Sequence, residues 1–353
     1  MHMFKILIKV TIAIIILTTV LIWSSIVILT QPISQETAPL LIDIKKTWFS
    51  DEWKLEEYTK TLSTMDRTSA EWRKEVVMYI TNILKSINID SCPFSGERKD
   101  FEWCYTLQEY SIVDEKHNNI IVGFQDPRKL NGKYIIWAHY DSHWWLPWAD
   151  DNASGVAWIL ELIRVITASD AQSGSRVEFV LYSSEEPPYF GTENMWSYNH
   201  ASMVDRNNVL GVIILEMIWY FSDEHGSQNF PVIGLNTLYP ETGNFIALIS
   251  NTNIDNIFLL RKLKKSMSTF LNLQKWLNIY SINAPSSIPG IDFSDHRNYW
   301  KKDIPALMIT DTAFYRNKNY HTPFDTYEKL DYLKMKTVVD AVIFSLHEFS
   351  NFY

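Results

Sequence analysis

Five short clusters of acidic residues and histidine follow one another along the chain: AHYDS at 138–142, ADDNASG at 149–155, SSEEPP at 183–188, LEM at 215–217 and YHTPFDT at 320–326. Four of them close an apolar run or follow one within a few residues. KYIIWA precedes His139, VEFVLY precedes Glu185 and VLGVIIL precedes Glu216, while PALMIT at 305–310 leads into the loop that reaches His321. Runs this short and this rich in Val, Ile and Tyr read as buried strands. In open α/β sheets, ligands gather in the crevice beyond the carboxyl ends of the strands. The pattern therefore predicts an α/β fold with a mixed, mostly parallel central sheet flanked by helices, and a polar site assembled from strand ends.

A different constraint acts at the N-terminus. Positions 10–30, VTIAIIILTTVLIWSSIVILT, carry no charge, and roughly 20 apolar residues suffice for a helix to span a bilayer. Lys5 and Lys9 precede the stretch and no Lys or Arg follows until Lys45. The positive-inside rule then puts residues 1–9 in the cytoplasm as a short tail, 10–30 in the membrane as a signal anchor, and the rest outside the cytoplasm. A cleaved signal peptide is the competing reading, although its apolar region is usually about 7–15 residues; a buried core helix is the third. Residues 31–60 read as tether and lead-in, and 61–353 as the catalytic domain. The formal net charge is −9, and an acidic chain is a poor match for nucleic acid. Cys92 and Cys104 are the only cysteines; a disulfide and two free thiols both remain open.

Within the remaining chain, Thr68 and Glu71 fit a capping box for a helix carrying Trp72, Val76, Tyr79, Ile80, Ile83 and Ile87 at helical spacing. NNIIVGF at 118–124 and KYIIWAH at 133–139 read as neighbouring strands joined by a turn. VAWILELIRVI after the second cluster is apolar around its circumference, as a buried helix is. Residues 218–300 read as inserted loops and helices around a pocket, and Asp331–Phe349, with Leu333, Val338, Val342 and Phe349, as a closing helix. Trp144, Trp145, Trp148, Trp219, Tyr220 and Phe221 near the clusters hint at an apolar pocket, but core packing is the commoner explanation for such side chains.

Taken singly, most clusters have a bland explanation. In His139-Tyr140-Asp141, alternation puts both polar side chains on one face, so Asp141 can accept the second ring N–H of a ligating His139; a lone histidine of this kind is also a common core residue. Asp150 and Asp151 sit where a helix N-terminus favours negative charge, and an N-cap would account for them. For Glu185 and Glu186, one could ligate metal and the other stay free as a general base, but alone they read sooner as an exposed acidic turn before Pro187-Pro188. Asp325 reads as support for His321 or as a helix cap. Glu216 is the anomaly, because a carboxylate inside IILEMIWYF is costly unless paired or coordinated.

Taken together, in order and spacing from about Asn118 to Leu330, the clusters resemble the co-catalytic di-zinc peptidases that include bacterial leucyl-type aminopeptidases, glutamate carboxypeptidases and, more distantly, glutaminyl cyclases. The resemblance implies two Zn2+ per chain. Asp151 would bridge them, His139 and Glu216 would complete one site, and Glu186 and His321 the other. Glu185 would be the general base acting on a water shared by the metals, Tyr320 an oxyanion donor, and Asp151–Asn152 a cis peptide. Two departures stand out: Glu216 is more often Asp in such aminopeptidases, and Pro187-Pro188-Tyr189-Phe190 replaces small residues. The SDH triplet at 294–296 also matches a family element, in which the histidine is no ligand.

The function implied is a membrane-anchored zinc aminopeptidase acting on peptides with a free N-terminus, with no nucleic acid partner. Carboxypeptidase action, glutaminyl cyclisation on the same fold, and a catalytically silent ectodomain are the alternatives.

Overall fold

In the computed structural model, residues 2–31, 49–92, 102–125, 132–144, 147–168, 177–274 and 277–350 are described. The chain order is α1 (His2–Thr30), α2 (Glu52–Thr64), α3 (Arg73–Ser86), β1 (Asp90–Ser91), β2 (Glu102–Ile112), β3 (Glu115–Gln125), β4 (Lys133–His139), α4 (Gly155–Ala168), β5 (Val177–Tyr182), α5 (Trp196–Met203), β6 (Val209–Leu215), β7 (Phe245–Ser250), α6 (Ile254–Gln274), β8 (Asn278–Asn283), α7 (His296–Trp300), β9 (Ala306–Thr310) and α8 (Tyr332–Ser350). The strands form one sheet in the order β1-β2-β3-β5-β4-β6-β9-β7-β8.

The strands β5, β4, β6 and β9 run parallel to one another, while β3 and β7 join them antiparallel. The sheet is mixed and mostly parallel, as the apolar runs predict. Side chains alternate across β4. Ile136 and Ala138 enter the larger core, with α2, α3, α4, α6 and α8, whereas Ile135 and Trp137 enter a smaller core on the other face, near Ala201 of α5 and Tyr299 of α7. Burial on both faces explains why these strands read as unbroken apolar runs.

Helix α4 is buried along its length except for a half-buried Arg164 and residues at its end. Helix α8 closes the fold, with Val338, Val342 and Phe349 in the core and Leu333 exposed. Residues 52–60, read from the sequence as lead-in, belong to α2, whose Leu55, Tyr58 and Leu62 lie in the larger core. The sequence-read tether lies, from residue 32 onward, outside the described residues.

Three local expectations are corrected. Strands β3 and β4 are not neighbours, because β5 lies between them and pairs with both. The capping box at Thr68 does not form: Thr68 donates to Asp66, and α3 begins at Arg73. Residues 245–283 are not an irregular insertion; β7, α6 and β8 form a strand–helix–strand unit that extends the sheet. Cys92 and Cys104 are joined by a disulfide.

The N-terminal helix carries the apolar segment Ile6–Thr30, 25 residues long and almost wholly exposed. It is long and apolar enough to cross a membrane.

Candidate metal centre

His139 is the last residue of β4, Glu216 follows the last residue of β6, and Glu185 lies three residues beyond β5. All three therefore emerge at the same edge of the sheet. His139 Nδ1 is 3.3 Å from Asp141 Oδ1, and the Asp141 carboxylate also accepts the backbone N–H groups of Glu185 and Glu186 at 3.0–3.1 Å. One carboxylate thus orients the imidazole and fixes the acidic turn beside it. Burial opposes its charge, but His139, Arg73 and these N–H groups hold the Asp141 carboxyl below its ordinary range.

The segment 149–154 delivers Asp151. The Asp325 carboxylate accepts the backbone N–H groups of Asp150 and Asp151 at 3.1–3.2 Å. Asn152 reaches Leu215 O with Nδ2 at 2.8 Å and caps α4 by accepting the Gly155 N–H at 3.1 Å. A Cβ at Gly155 would lie 2.3 Å from Asn152 Oδ1, so that position requires glycine. The Asp151–Asn152 peptide is cis, as the resemblance implies.

Asp151 faces two ways. Its Oδ1 lies 3.3 Å from His139 Nε2, which in turn is 3.5 Å from Glu216 Oε1. Its Oδ2 lies 3.1 Å from His321 Nε2, which is 3.9 Å from Glu186 Oε1. Each triad, His139/Asp151/Glu216 and Asp151/Glu186/His321, brings its donor atoms within 4.8 Å of one another. The structure therefore gathers all five sequence-predicted ligands, with Asp151 common to both triads.

The donor set suits a divalent cation at each triad. His139 Nε2, Asp151 Oδ1 and Glu186 Oε1 are buried without a hydrogen-bond partner although they converge on one another. Unpaired buried polar atoms are costly, and imidazole nitrogens with carboxylate oxygens are zinc donors. Glu185 is buried next to Glu186, within the reach of His139. Desolvation, with Glu216 and Glu186 adding to it against His139, pushes its carboxyl well above the ordinary range.

Tyr320 stacks on His321 with ring centroids 3.7 Å apart. Its phenol is raised by burial and by the carboxylates of Asp151, Glu186, Glu185 and Glu216, so it stays protonated as an O–H donor. The donor His321 and two non-glycine residues near the donors, Trp148 and Met217, hold left-handed φ values of 56°, 45° and 46°, a strained conformation that clusters at functional sites.

Three further residues shape the site without having been singled out from the sequence for these roles. Ser294, from the SDH triplet, donates to Glu216 Oε2 at 2.8 Å. Arg67, 1% exposed, donates to Trp148 O at 2.7 Å. Trp148 then packs edge-on against His321, centroids 4.4 Å apart. Ser294 was legible as part of a motif; nothing local marked Arg67. Asp325 neither supports His321 nor caps a helix, since its carboxylate holds the 150–151 backbone instead. His296, with Nε2 2.6 Å from Ile291 O, stays out of the donor set.

An apolar pocket adjoins the donors. Glu216 and Tyr320 form one end, and Phe230, Tyr239, Phe245, Tyr280, Phe293 and Phe314 are among its walls. Among the described residues, the aromatics named from the sequence near the clusters do not line it. Trp219 is core, Trp144 is 60% exposed, Tyr220 and Phe221 are partly exposed, and Trp145 lies outside the described residues. No Lys or Arg stands among the described residues that line the pocket.

The chain is 42% identical to the protein YfbL of Escherichia coli (strain K12), over 81% of this chain and 90% of that one. It is 25% identical to leucine aminopeptidase 1 of Paracoccidioides brasiliensis (strain Pb03), over 76% of this chain but only 61% of the relative. Among solved structures, the LapA aminopeptidase of Legionella pneumophila superposes with a TM-score of 0.60 at 17% identity, covering 91% of this chain and 78% of that chain. The glutaminyl cyclase of Porphyromonas gingivalis does so with 0.57 at 15% identity, covering 86% and 99%. These two show a shared fold. The Peptidase family M28 pattern matches residues 119–238 and 255–345, a span that holds every one of the five converging donors, and the chain belongs to that family of metallopeptidase hydrolases.

Proposed function

We propose that this chain is an aminopeptidase that removes N-terminal residues from peptides, using two zinc ions. The observation that carries the reading is the Asp151 carboxylate, with one oxygen turned to His139 and Glu216 and the other to His321 and Glu186. His139, Asp151 and Glu216 would hold one ion, and Asp151, Glu186 and His321 the other. Bound zinc supplies Lewis-acid polarisation of the scissile carbonyl and acidifies water.

The chain's own residues do the rest. Glu185, buried beside Glu186 and within reach of His139, takes a proton from the attacking water and delivers it to the departing amine. The Tyr320 hydroxyl donates to the carbonyl oxygen as negative charge grows there. The surrounding carboxylates attract the ammonium of a free N-terminus. The pocket takes an apolar first side chain. A carboxypeptidase would need a cation for the substrate's carboxylate, and the described pocket lining offers neither Lys nor Arg.

By the positive-inside rule, Lys5 and Lys9 keep the N-terminus cytoplasmic. Ile6–Thr30 then acts as an uncleaved anchor and the catalytic domain lies outside the cytoplasm.

The test is zinc analysis of the purified protein together with hydrolysis of matched free and N-acetylated peptides. Two zincs per chain and cleavage of the free peptides alone are expected. Cleavage of the acetylated peptides would replace the reading with a carboxypeptidase. A single zinc with release of pyroglutamyl product would replace it with a cyclase, and a metal-free, correctly folded protein would point to a silent ectodomain.

A further inference from the structure

The last turn of α1 does not stand free of the catalytic domain. Arg261 donates to Ile28 O at 3.2 Å, Lys264 donates to Gln31 O, and Tyr239 Oη donates to Thr30 O at 2.8 Å. Two of these donors are cations on α6, placed at the negative end of the α1 dipole, where they also satisfy carbonyls left open by the helix end. The contact lies along edge strand β8, since Tyr239 Oη is also 2.8 Å from Ser281 O, the two carbonyls sharing its one proton.

The pairing also has a direction. Arg261 meets residue 28 and Lys264 meets residue 31, just past the helix end, so moving three residues along α6 moves three residues along the chain leaving α1 in the same sense. The part of α6 before Arg261 therefore points the way α1 descends. That part carries two apolar side chains four residues apart, Ile254 at 59% exposure and Phe258 at 61%, and such a spacing places them on one face. Beyond them come Arg261, half-buried, and exposed Lys265. Ile254 lies about 10 Å before Arg261 at the helical rise. The apolar segment of α1 is 25 residues, about 37 Å long against roughly 30 Å of hydrocarbon, so its final turn stands at headgroup level.

We infer that the first two turns of α6 lie in the outer interface of the bilayer beside α1, with Ile254 and Phe258 in the acyl boundary and Arg261 and Lys265 among anionic headgroups. Apolar side chains below and cations above are the arrangement of an interfacial helix, and the one acid between the apolar pair, Asp255, is ion-paired with Arg206 at 3.1 Å. Strand β7, which leads into α6, runs antiparallel to β9, so α6 begins at the end of the sheet opposite the donors. The metal centre then opens away from the membrane. This inference rests on the anchor reading above.

The full-length chain is reconstituted in phosphatidylcholine vesicles containing a minority of phosphatidylglycerol, with brominated acyl chains. Alkaline extraction comes first and tests the anchor by itself; a chain released by it sinks both readings. On the retained protein, Phe258→Cys and, in parallel, Ile254→Cys carry an environment-sensitive fluorophore, the two native cysteines being joined to each other. Val113→Cys is the reference. Val113 is 89% exposed in the β2–β3 turn, at the donor end of the sheet near its opposite edge. Quenching at 254 and 258 but not at 113, with peptide turnover unchanged, is expected. No quenching at 254 and 258 in retained protein overturns the inference, as does equal quenching at 113. A blue shift at 258 that grows with protein density and resists the bromines would assign the face to a second copy instead, which also overturns it.

Discussion

The two donor triads around Asp151 are built to different standards. On one side, His139 and Glu216 rise directly from strand ends, and His139 is fully buried. Each has a support: Asp141 behind the imidazole at 3.3 Å, and Ser294 on the Glu216 carboxylate at 2.8 Å. On the other side, His321 stands on a loop with left-handed backbone, its side chain 32% exposed. Besides Asp151 at its Nε2, it packs against the rings of Tyr320 and Trp148. Strand-borne ligands with oriented partners bind metal more tightly than loop-borne ones. On the two-ion reading, the difference makes the His139 side the more rigidly supported half and the His321 side the more exposed one.

Glu185 belongs to neither side under this view, and its removal gives the largest expected effect. Glu185→Gln should lower turnover on a free peptide by about 10²–10⁴ while zinc content stays at the wild-type value. Steady-state kinetics with metal analysis on the same sample decides. Loss of zinc along with rate would make Glu185 a ligand and dissolve the distinction.

Tyr320 sharpens the comparison from the loop side. If its hydroxyl stabilises the oxyanion, Tyr320→Phe should cost about 10²–10³ in kcat, with KM for an apolar substrate and affinity for both metals little changed, because the ring that stacks on His321 remains. A variant that loses metal instead would show that the hydroxyl serves the ligand and not the reaction.

The contrast between the halves also marks what the sequence could say. His139, Glu185 and Glu216 were legible because each ends or closely follows an apolar run, and a strand end fixes where a side chain emerges. Glu216 was legible alone, since an unpaired carboxylate in IILEMIWYF has no other low-cost explanation. Sheet order was not legible: β5 enters between β3 and β4 because parallel strands are paired through crossovers, which strand sequences do not encode locally. The β7–α6–β8 unit escaped because its polar α6 carries Lys and Ser at positions that are buried only through tertiary contacts, as at Lys264 and Ser268. Arg67 was invisible for the same kind of reason. Its partner is a backbone carbonyl 81 residues away, which any residue could have supplied.

The supports of the strand-borne side should matter most on that side. Asp141→Asn and Ser294→Ala should each weaken zinc binding by about 10–100-fold, and stepwise calorimetric titration of the apo protein would place the loss on the tighter of two binding events. Should the weaker event move instead, the ranking of the two halves is reversed. Ser294→Ala is the cleaner variant, because Asp141 also holds the Glu185 and Glu186 backbone.

The mirror experiment is smaller and addresses the loop side. Trp148 contributes an edge-on ring contact to His321, and such aromatic contacts are worth about 0.5–1.5 kcal/mol. Since 1.4 kcal/mol is about tenfold in affinity, Trp148→Leu should weaken the second binding event by up to about tenfold and leave the first where it was. Trp148 is 2% exposed, so a fall in folding stability is expected as well. Thermal denaturation of the apo variant separates that loss from the change in metal affinity. Phenylalanine at 148 keeps a ring edge near His321 and should recover part of the affinity, which a purely volumetric role would not require. If leucine and phenylalanine weaken both events equally, the segment carrying Trp148 supports Asp151 and not His321, and the asymmetry between the halves must come from the strand-borne side alone.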